Sequence, residues 1–370
     1  MTTDHCPAQP SVLFAGALPP PVTGMTVMTD AIVKELRRRG AVQELNWSQG
    51  RSLPRWQWKL ARLFGAARTL LALAGKGKCA GRTFYYPVSS AAGLYYDWAI
   101  AQLARVRGYR VVLHHHAYSY IDRHDWRAKR LLSLADAHVV HCPMMRDDIL
   151  QIYPTQVPFY FVPPTIALHC RAASPPSGGR SMTLGFLSEL SNAKGLDDVL
   201  ATFRRLIEAG DDVRLILAGP YRNAAARQAV ESALLAWPDR VESRGRVYED
   251  EKARFYAEID AFLFPTRSES WGLVLNEALN VGRPVIARSR GCVSWIVREG
   301  CGLLVEPQAD FVAAAVEQLQ AWIKHPEQWR QASEAARRRS AALIAEAQQQ
   351  FPAFIDQLLG AEEVGSPQDP

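Results

Sequence analysis

Short apolar runs alternate with longer amphipathic stretches along most of the chain, and this alternation constrains the fold more than any other feature. The runs are continuously apolar, as expected for strands covered on both faces in a parallel sheet. Strand–helix alternation then indicates right-handed βαβ units. The predicted strands lie at 11–16, 83–88, 111–116, 137–142 and 159–164, and then at 183–188, 213–219, near Val241, 261–266, 283–288 and 302–307. We therefore predict an α/β fold with two Rossmann-like, doubly wound parallel-sheet domains that face a cleft.

The polar segment 171–180, with paired prolines and paired glycines, has the composition of a linker. It also separates two parts of opposite charge. Residues 1–172 contain 21 Lys and Arg against 10 Asp and Glu, and the remainder contains 22 against 27. We predict one domain over 1–172, a second over 173–340, and a C-terminal segment over 341–370. That segment contains a helix, broken at Pro352, which could pack back on the first domain, and then a disordered tail.

The composition is that of a folded protein of the cytoplasm. Apolar residues make up 48% and charged residues 22% of the 370 residues, which argues against disorder. No apolar run approaches the roughly 18 residues that a membrane-spanning helix needs. The six cysteines include no C-x-x-C pair, so we expect reduced thiols and neither a zinc site nor a disulfide framework.

The most informative stretch is FPTRSESWGLVLNEALNVGRPVIA, because it places two glutamates around a helix start. Glu269 closes a loop that follows a strand, and Glu277 lies about two turns, or ~11 Å, further along, in a helix predicted to begin near Trp271. A carboxylate can accept hydrogen bonds from two vicinal hydroxyls. The backbone N–H groups of Gly272 and Leu273 open the helix and favour phosphate. The alternative is a solvated helix start, where acidic residues stabilise the helix dipole.

These residues resemble the retaining, nucleotide-sugar-dependent glycosyltransferases of family 4, which have the two-domain GT-B architecture. The E-x7-E element is Glu269 and Glu277, framed by FPTRSE and NEALNVGRPVIARSRG, with GLLVEP following. Upstream, FLSELSNAKGLDDVL and VRLILAGP match two further segments of that family. The resemblance runs from about residue 11 to 325 and is strongest over 183–307.

The resemblance implies roles for individual residues. Glu277 would bind the ribose hydroxyls, Glu269 the hydroxyls of the transferred sugar, and Lys194 the diphosphate, although by position alone Lys194 reads as a solvated helix-start lysine. Domain 1–172 would bind the acceptor and domain 173–340 the donor. The implied catalytic residues are His116, Lys194 and Glu269. The implied donor-binding residues are Gly24, Lys194, Glu269, Ser270, Trp271, Gly272, Leu273 and Glu277.

The chain departs from the family pattern in two places. Many relatives carry an arginine five residues before the lysine, as a second diphosphate contact, but here that position is Glu189. The sequence does not choose a replacement among Arg222, Arg267, Arg288 and Arg290. The family's Gly-Gly-x-Pro-Glu element is also replaced, by the segment 291–295, which leaves the donor sugar open.

Two features of the first domain have open interpretations. The loop FAGALPPPVTGMT lacks G-x-G-x-x-G, so a dinucleotide site is not indicated. Gly24 in this loop either allows a close approach to donor phosphates or belongs to an ordinary strand-to-helix turn. His114, His115 and His116 end a strand, and because successive strand residues point to opposite faces, they cannot all chelate one metal. In the family a histidine at this point hydrogen-bonds the donor; His116 matches best, and His114 shares its face.

No metal or other cofactor is expected. Single-domain nucleotide-sugar transferases usually hold a divalent cation with Asp-x-Asp, and this chain has no such motif; Glu249-Asp250-Glu251 reads as a helix start. Leaving-group charge must then be met by Lys194, backbone amides and a helix dipole. The family implies retention by front-face attack, with the acceptor proton passing to the departing phosphate.

The segment 51–78 is basic and amphipathic. It contains no Asp or Glu, and its apolar stripe has helical spacing. The stripe comprises Trp56, Leu60, Leu63, Phe64, Ala67, Leu71 and Ala74. Such a helix either lies on an anionic membrane surface or packs on the first sheet with a solvated basic edge. The first reading would favour a lipid-linked acceptor and a position at the inner face of the membrane.

The leading hypothesis is a retaining glycosyltransferase that moves a hexose-type sugar from a UDP- or GDP-linked donor to a glycan or lipid-linked acceptor. A nucleotide-sugar 2-epimerase would share the two-domain shape, but the sequence shows no matching acid/base constellation. A basic nucleic-acid-binding protein would explain the charge of the first domain. However, no recognition helix or aromatic RNA motif is present, so nucleic acid is not an expected partner.

Overall fold

A computed structural model describes residues 11–20, 22–48, 55–167 and 181–360. The predicted linker 171–180, the predicted tail over 361–370 and residues 51–54 lie outside the described residues. The chain divides into two units. The first unit is Met1–Ala167 with Glu346–Pro370, and the second is Leu168–Ala345. The sequence places these boundaries between residues 172 and 173 and between residues 340 and 341.

The first unit alternates strands and helices. Its strands are β1 (Val12–Gly16), β2 (Val42–Asn46), β3 (Thr83–Pro87), β4 (Arg110–His114), β5 (Ala137–Val140) and β6 (Phe159–Phe161). Its helices are α1 (Gly24–Arg38), α2 (Arg55–Ala74), α3 (Gly93–Val106), α4 (Trp126–Leu132) and α5 (Pro143–Ile152), and a 3₁₀ turn spans Pro164–Ala167.

The second unit repeats the scheme. Its strands are β7 (Met182–Leu187), β8 (Val213–Ala218), β9 (Val241–Ser243), β10 (Ala261–Phe264), β11 (Val285–Arg288) and β12 (Gly302–Val305). Its helices are α6 (Leu196–Glu208), α7 (Ala224–Ala236), α8 (Glu249–Glu258), α9 (Leu273–Asn280), α10 (Val293–Ile296) and α11 (Phe311–Lys324), with a 3₁₀ turn at Asn192–Lys194. Helix α12 (Pro326–Leu359) begins in the second unit and ends in the first.

Each unit contains one six-stranded parallel sheet. The order is β2-β1-β3-β4-β5-β6 in the first and β12-β11-β10-β7-β8-β9 in the second. Both orders are doubly wound, because the chain moves outward in one direction and then reverses from the first strand. In the second sheet the reversal lies between β7 and β10, and in open α/β sheets ligands bind outside the carboxyl ends of strands at such a switch point.

The sheets are buried on both faces, as the continuous apolar runs predict. The first core is built on β1, β3, β4 and β5 and includes Phe14, Tyr85 and Val139; the end of α12 adds Phe354 and Ile355 to it. In the second unit α6 and α11 cover the sheet, with Phe203 and Leu319 in the core. Burying each of these large side chains contributes about 1.5–3 kcal/mol.

The predicted strands all occur, with ends that shift by a few residues. The sequence analysis missed β2, a partly exposed edge strand without a continuous apolar run. It also placed the end of β4 too late, because the strand stops at His114. The break predicted at Pro352 is wrong, since α12 continues through that residue.

The thiol prediction is wrong for two cysteines. Cys79 and Cys301 are free and buried, whereas Cys142 and Cys292 are disulfide-bonded. Spacing along the sequence does not show which cysteines a fold brings to a partner. Among the described residues, the structure has no helix with the length and apolar character to cross a membrane.

Candidate active site

Lys194 lies in the loop that follows β7, at the switch point of the second sheet. The loop ends at Gly195, whose φ of +80° is left-handed and which caps the start of α6. A Cβ at this glycine would lie 2.5 Å from the carbonyl oxygen of Pro265. Only glycine therefore allows the loop after β7 to pack this closely against the loop after β10.

Glu269 lies in the loop after β10, and the structure joins it to Lys194. The Lys194 Nζ atom is 2.9 Å from Glu269 Oε2 and also donates to the Ser268 carbonyl at 3.2 Å. The backbone N–H of Arg267 donates to the Ala193 carbonyl at 3.0 Å, which fixes the two loops together. The side chains of Lys194 and Glu269 are 28% and 19% exposed. An ion pair this open contributes little to stability, so both groups can exchange partners at small cost.

Glu277 lies on α9, which begins at Leu273 and not near Trp271 as predicted. Gly272 is the N-cap residue, and its φ of +87° turns the chain into the helix. Glu277 is therefore the fifth helical residue, about one turn from the start. It is 8% exposed.

Two residues that the sequence analysis missed orient Glu277. The Tyr256 hydroxyl donates to Glu277 Oε2 at 2.7 Å, and Lys252 Nζ donates to Oε1. Both donors lie on α8, four residues apart and hence on one helix face. That spacing, in a helix next to the glutamate motif, is the signal that could have found them. Each carboxylate oxygen keeps a second lone pair, so the group can still accept hydrogen bonds from a ligand.

The remaining predicted donor-binding residues of the second unit lie between the two glutamates. Ser270 is partly buried and Trp271 is buried. Ser270 donates its backbone N–H to Glu269 Oε1 at 3.1 Å and accepts from the Cys292 N–H at 3.0 Å. Leu273 opens α9 as its first residue. The structure thus places these residues in one continuous turn that carries Glu269 into the helix bearing Glu277.

Most of the arginines considered as substitutes at Glu189 are committed elsewhere. Arg222 pairs with Glu189 itself at 3.1 Å. Arg267 pairs with Asp197 at 2.8 Å and Asp198 at 2.9 Å, and Arg288 with Asp198 at 2.9 Å. Arg290 is exposed and makes no ion pair with any residue that the structure describes.

Arg290 is therefore the uncommitted cation of the four. It follows β11, which neighbours β10 in the sheet.

The helix start predicted at Glu249-Asp250-Glu251 is present, since α8 begins at Glu249 and Glu251 accepts from the Tyr248 N–H at 3.2 Å.

Gly24 is the first residue of α1 in the first unit. Thr23 caps this helix through a reciprocal pair of hydrogen bonds with Thr26, the arrangement of a capping box. The local geometry is that of a strand-to-helix turn, and a role of Gly24 in donor binding stays a prediction.

His116 lies two residues beyond the end of β4 in the first unit. Burial lowers its pKa well below the usual range, with a smaller contribution from His141 nearby. The ring is therefore neutral at pH 7 and has one N–H to donate and one nitrogen to accept. His115 points to other partners: its Nδ1 lies 2.8 Å from the Tyr120 hydroxyl, and its Nε2 lies 3.1 Å from Nδ1 of His138.

Helix α2 exposes the apolar stripe predicted from its sequence. All seven residues of the stripe are exposed, including Trp56 at 63% and Phe64 at 69%. The opposite face packs inward instead, where Thr69 accepts from Trp47 Nε1 at 3.0 Å. Helix α2 therefore packs in the first unit as the alternative predicts, but through this opposite face, and the apolar stripe stays exposed. We call the exposed residues Trp56, Leu60, Leu63, Phe64 and Leu71 the α2 face.

Comparison with protein families matches residues 181–322 to the family described as "Glycosyl transferases group 1". The match covers less than half of the chain. All the predicted donor-binding residues except Gly24 lie within the matched residues.

Curated relatives match part of the chain. An alpha-monoglucosyldiacylglycerol synthase from Streptococcus pneumoniae is 32% identical over 140 residues, which is 37% of this chain and 31% of that protein. A glycogen synthase from Marinomonas sp. is 33% identical over 121 residues, 31% of this chain and 24% of that protein. The chain thus spans about a quarter to a third of the length of these relatives.

Solved structures resemble the chain over nearly its whole length. The sucrose-phosphate synthase of Thermosynechococcus elongatus superposes with a TM-score of 0.71 at 16% identity, covering 96% of this chain and all of that one. Anabaena HepE in complex with UDP gives 0.67 at 15% identity, covering 94% and 100%. These likenesses show the fold, which is the two-domain GT-B architecture both within residues 181–322 and outside them.

Proposed function

We propose that this protein is a retaining glycosyltransferase that moves a hexose-type sugar from a UDP- or GDP-linked donor to a glycan or lipid-linked acceptor. The observation that carries the proposal is the pairing of Lys194 with Glu269 at 2.9 Å. The pair lies where β7 and β10 meet, which is where a doubly wound sheet binds nucleotides. The match of residues 181–322 to the glycosyltransferase group 1 family and the structural neighbour in complex with UDP support it.

The donor would be held at its two rings by the two glutamates. Glu277 is positioned by Tyr256 and Lys252 before any ligand arrives, so little side-chain freedom is lost when it accepts the ribose hydroxyls. Glu269 would exchange Lys194 for the hydroxyls of the transferred sugar. Because this ion pair is partly exposed, the exchange costs little.

The charge that develops on the departing diphosphate would be met by Lys194, the amides at the start of α9 and Arg290. Releasing Glu269 to the sugar frees the Lys194 ammonium for the phosphates. Fixed cations and dipoles directed at developing charge stabilise a transition state more than the ground state. Arg290 is our candidate for the cation that the family places at the position of Glu189.

The bond between the anomeric carbon and the diphosphate oxygen breaks, and the acceptor oxygen bonds to the same face of the anomeric carbon. The acceptor proton passes to the departing diphosphate, so atoms and charges balance without a protein base. In this scheme Glu269 binds hydroxyls and does not form a covalent intermediate. His116, which is neutral, donates its N–H to the donor as the family resemblance implies.

The α2 face supports a lipid-linked acceptor and a peripheral position at the inner face of the membrane. Apolar residues on it are exposed beside Lys59 and Arg68, which are also exposed. A basic amphipathic helix with aromatic residues binds at the surface of an anionic bilayer. The relative from S. pneumoniae, by its name, synthesises a glucosylated diacylglycerol, which is the product expected when a sugar is transferred to a lipid.

The test is to incubate the purified protein with a panel of UDP- and GDP-linked hexoses, with and without anionic vesicles that carry diacylglycerol. We expect release of the nucleoside diphosphate that depends on the acceptor, and a product with the anomeric configuration of the donor. A product inverted at C2 of the sugar without acceptor would show an epimerase instead. The panel is repeated with soluble glycans as acceptors. Absence of transfer to both the lipid and the glycans with every donor, although one donor binds, would overturn the proposal.

A further inference from the structure

Three histidines of the first unit converge outside the residues that the sequence motif identified. His114 ends β4, His116 follows it by two residues, and His141 follows the end of the neighbouring strand β5. One ring nitrogen from each lies within 4.8 Å of the other two. The ring centroids of His114 and His116 are 3.9 Å apart, and His141 lies 5.4 Å and 5.2 Å from them.

The topology explains this convergence. His114 and His116 share one face because side chains two residues apart in extended chain point the same way. Parallel pairing of β4 with β5 then brings His141 to the same edge of the sheet. The neighbouring strand thus supplies a third histidine to the pair His114 and His116.

The burial of these rings has a cost that the protein itself does not offset. Nε2 of His114 and Nε2 of His116 are buried, and neither has a hydrogen-bond partner among the described residues. A buried polar atom without a partner costs about 1–3 kcal/mol, and such atoms in a native fold call for an explanation, an ion being one. Two of them facing the same place point to one shared ligand.

The rings are also in the protonation state that metal binding requires. Burial lowers the pKa of His114 and His116 well below the usual range and lowers that of His141 to about 4. All three are therefore neutral at pH 7, and each has a lone pair.

Outer partners orient two of the three rings. Nδ1 of His114 lies 2.5 Å from the Tyr85 hydroxyl, and His141 hydrogen-bonds the backbone of Val162. When Nδ1–H of His114 donates to Tyr85, Nε2 carries the lone pair. Metal-binding histidines almost always use their second nitrogen in this way, and the partner fixes both the tautomer and the ring.

We propose that His114, His116 and His141 bind a divalent transition-metal ion of the zinc class. Three imidazoles with one open position form a common zinc ligand set. His116 is only partly buried, so the open position can take water or an anionic oxygen. At Zn–N distances of about 2.0–2.1 Å the three nitrogens would lie about 3.3 Å apart, so binding needs shifts of about 1 Å from the present positions.

The inference goes beyond the proposed function, and only one consequence rests on that function. A metal ion on His116 would prevent the same nitrogen from serving the donor. We therefore expect occupancy to slow sugar transfer and metal removal to leave it intact. The site itself is tested without any substrate, so its failure and the failure of the proposed function are distinguishable.

The test uses the full chain without a histidine tag, stripped with a chelator and titrated with Co²⁺. We expect one equivalent to bind with the visible absorption of tetrahedral cobalt, and Zn²⁺ to displace it. His116→Ala and His141→Ala should each lower the affinity at least about 100-fold, and Tyr85→Phe, which keeps the ring, about 10- to 100-fold. His138→Ala is the matched control, because His138 is a buried histidine of the neighbouring cluster with His115.

Folding is checked separately by far-UV circular dichroism and by the melting temperature. His116 is the least buried of the three, so its alanine variant keeps the test decisive even if His141→Ala does not fold. A metal that binds only the native state raises the melting temperature, and Zn²⁺ should do so in the wild type and not in His116→Ala. Cobalt that binds with unchanged affinity to His116→Ala, or no stoichiometric binding to the wild type, would overturn the proposal.

Discussion

The carboxyl edge of the second sheet carries charged side chains held in ion pairs, whereas the same edge of the first sheet carries neutral histidines. Lys194 and Glu269 face each other at the switch point between β7 and β10 and are partly exposed. His114 and His115 are fully buried at the carboxyl end of β4, away from the reversal in the first sheet between β1 and β3. Two sheets with the same winding thus support different chemistry.

Burial and charge give the two edges different binding properties. A partly exposed ion pair can exchange its partners at a small cost in free energy, which suits a site that must bind and release a charged nucleotide. Protonating a buried neutral imidazole costs free energy, so buried histidines suit a cationic ligand such as a metal ion. The two edges should therefore respond differently to substitution and to metal removal.

Replacement of Lys194 should have the largest effect. Lys194→Ala removes the cation that is proposed to meet charge on the departing diphosphate, and loss of one such group lowers kcat by roughly 100- to 1,000-fold. Lys194→Arg should restore part of the rate, since it keeps the charge but not the compact geometry. The measurement is release of nucleoside diphosphate under saturating donor.

Lys324→Ala is the control for that experiment, because Lys324 is an exposed lysine at the end of α11 in the same unit. It should keep the wild-type rate. A wild-type rate in Lys194→Ala would remove Lys194 from the site and with it the charged half of the comparison.

Replacement of Glu277 should act on binding more than on turnover. Glu277→Ala removes the acceptor of the ribose hydroxyls, and hydrogen bonds to a charged group are worth about 1.5–3 kcal/mol. Nucleotide affinity should fall about 10- to 100-fold in calorimetric titrations. Glu277→Gln keeps the shape and the contact with Tyr256 but loses the charge. Its nucleotide affinity should lie between those of the wild type and Glu277→Ala.

Glu231, an exposed acid on α7, provides the matched control, and Glu231→Ala should bind nucleotide like the wild type. Equal affinities for Glu277→Ala and the wild type would mean that the helix α9 carboxylate serves only its partners on α8. The donor site would then have to be sought elsewhere on the sheet.

The sequence predicted the second unit more completely than the first. Continuous apolar runs located all six strands of the second unit, and the glutamate motif located Glu269 and Glu277. The ion pair of Lys194 with Glu269 could not be read from the sequence, because it depends on β7 lying next to β10. Tyr256 was missed for a similar reason: its role becomes visible only when α8 is placed against α9.

In the first unit the apolar pattern is weaker where a strand is only partly buried. Edge strand β2 is partly exposed, and its sequence VQELN has no continuous apolar run. The sequence predicts no metal site here, because His114, His115 and His116 of one strand cannot all chelate one ion. His141 lies 25 residues further along, and only the pairing of β4 with β5 brings it to His114.

Substitution on the α2 face tests the surface of the first unit. Trp56→Ala combined with Phe64→Ala removes two exposed aromatic side chains, each worth about 1.5–3 kcal/mol when fully buried. Binding to anionic vesicles in a sedimentation assay should fall at least about tenfold. Binding of the wild type should also weaken with salt, since each basic residue near the surface contributes about 1 kcal/mol.

Leu235→Ala controls for the general loss of apolar surface, because Leu235 is 84% exposed but lies on α7 of the second unit. It should bind vesicles like the wild type. Vesicle binding that is unchanged in the double variant, or absent in the wild type, would contradict the membrane assignment and leave a soluble glycan as the acceptor.

Removal of metal should have the smallest effect on sugar transfer, and it separates the two edges most cleanly. Lys194 and the amides of α9 are fixed parts of the chain, so a chelator cannot take them away. We expect excess EDTA to leave the initial rate unchanged, and added Zn²⁺ to slow it in the wild type. Loss of transfer on chelation, restored by Zn²⁺, would contradict this expectation. A metal ion on the histidines would then help to neutralise the departing diphosphate, a role that we assign to groups of the second unit.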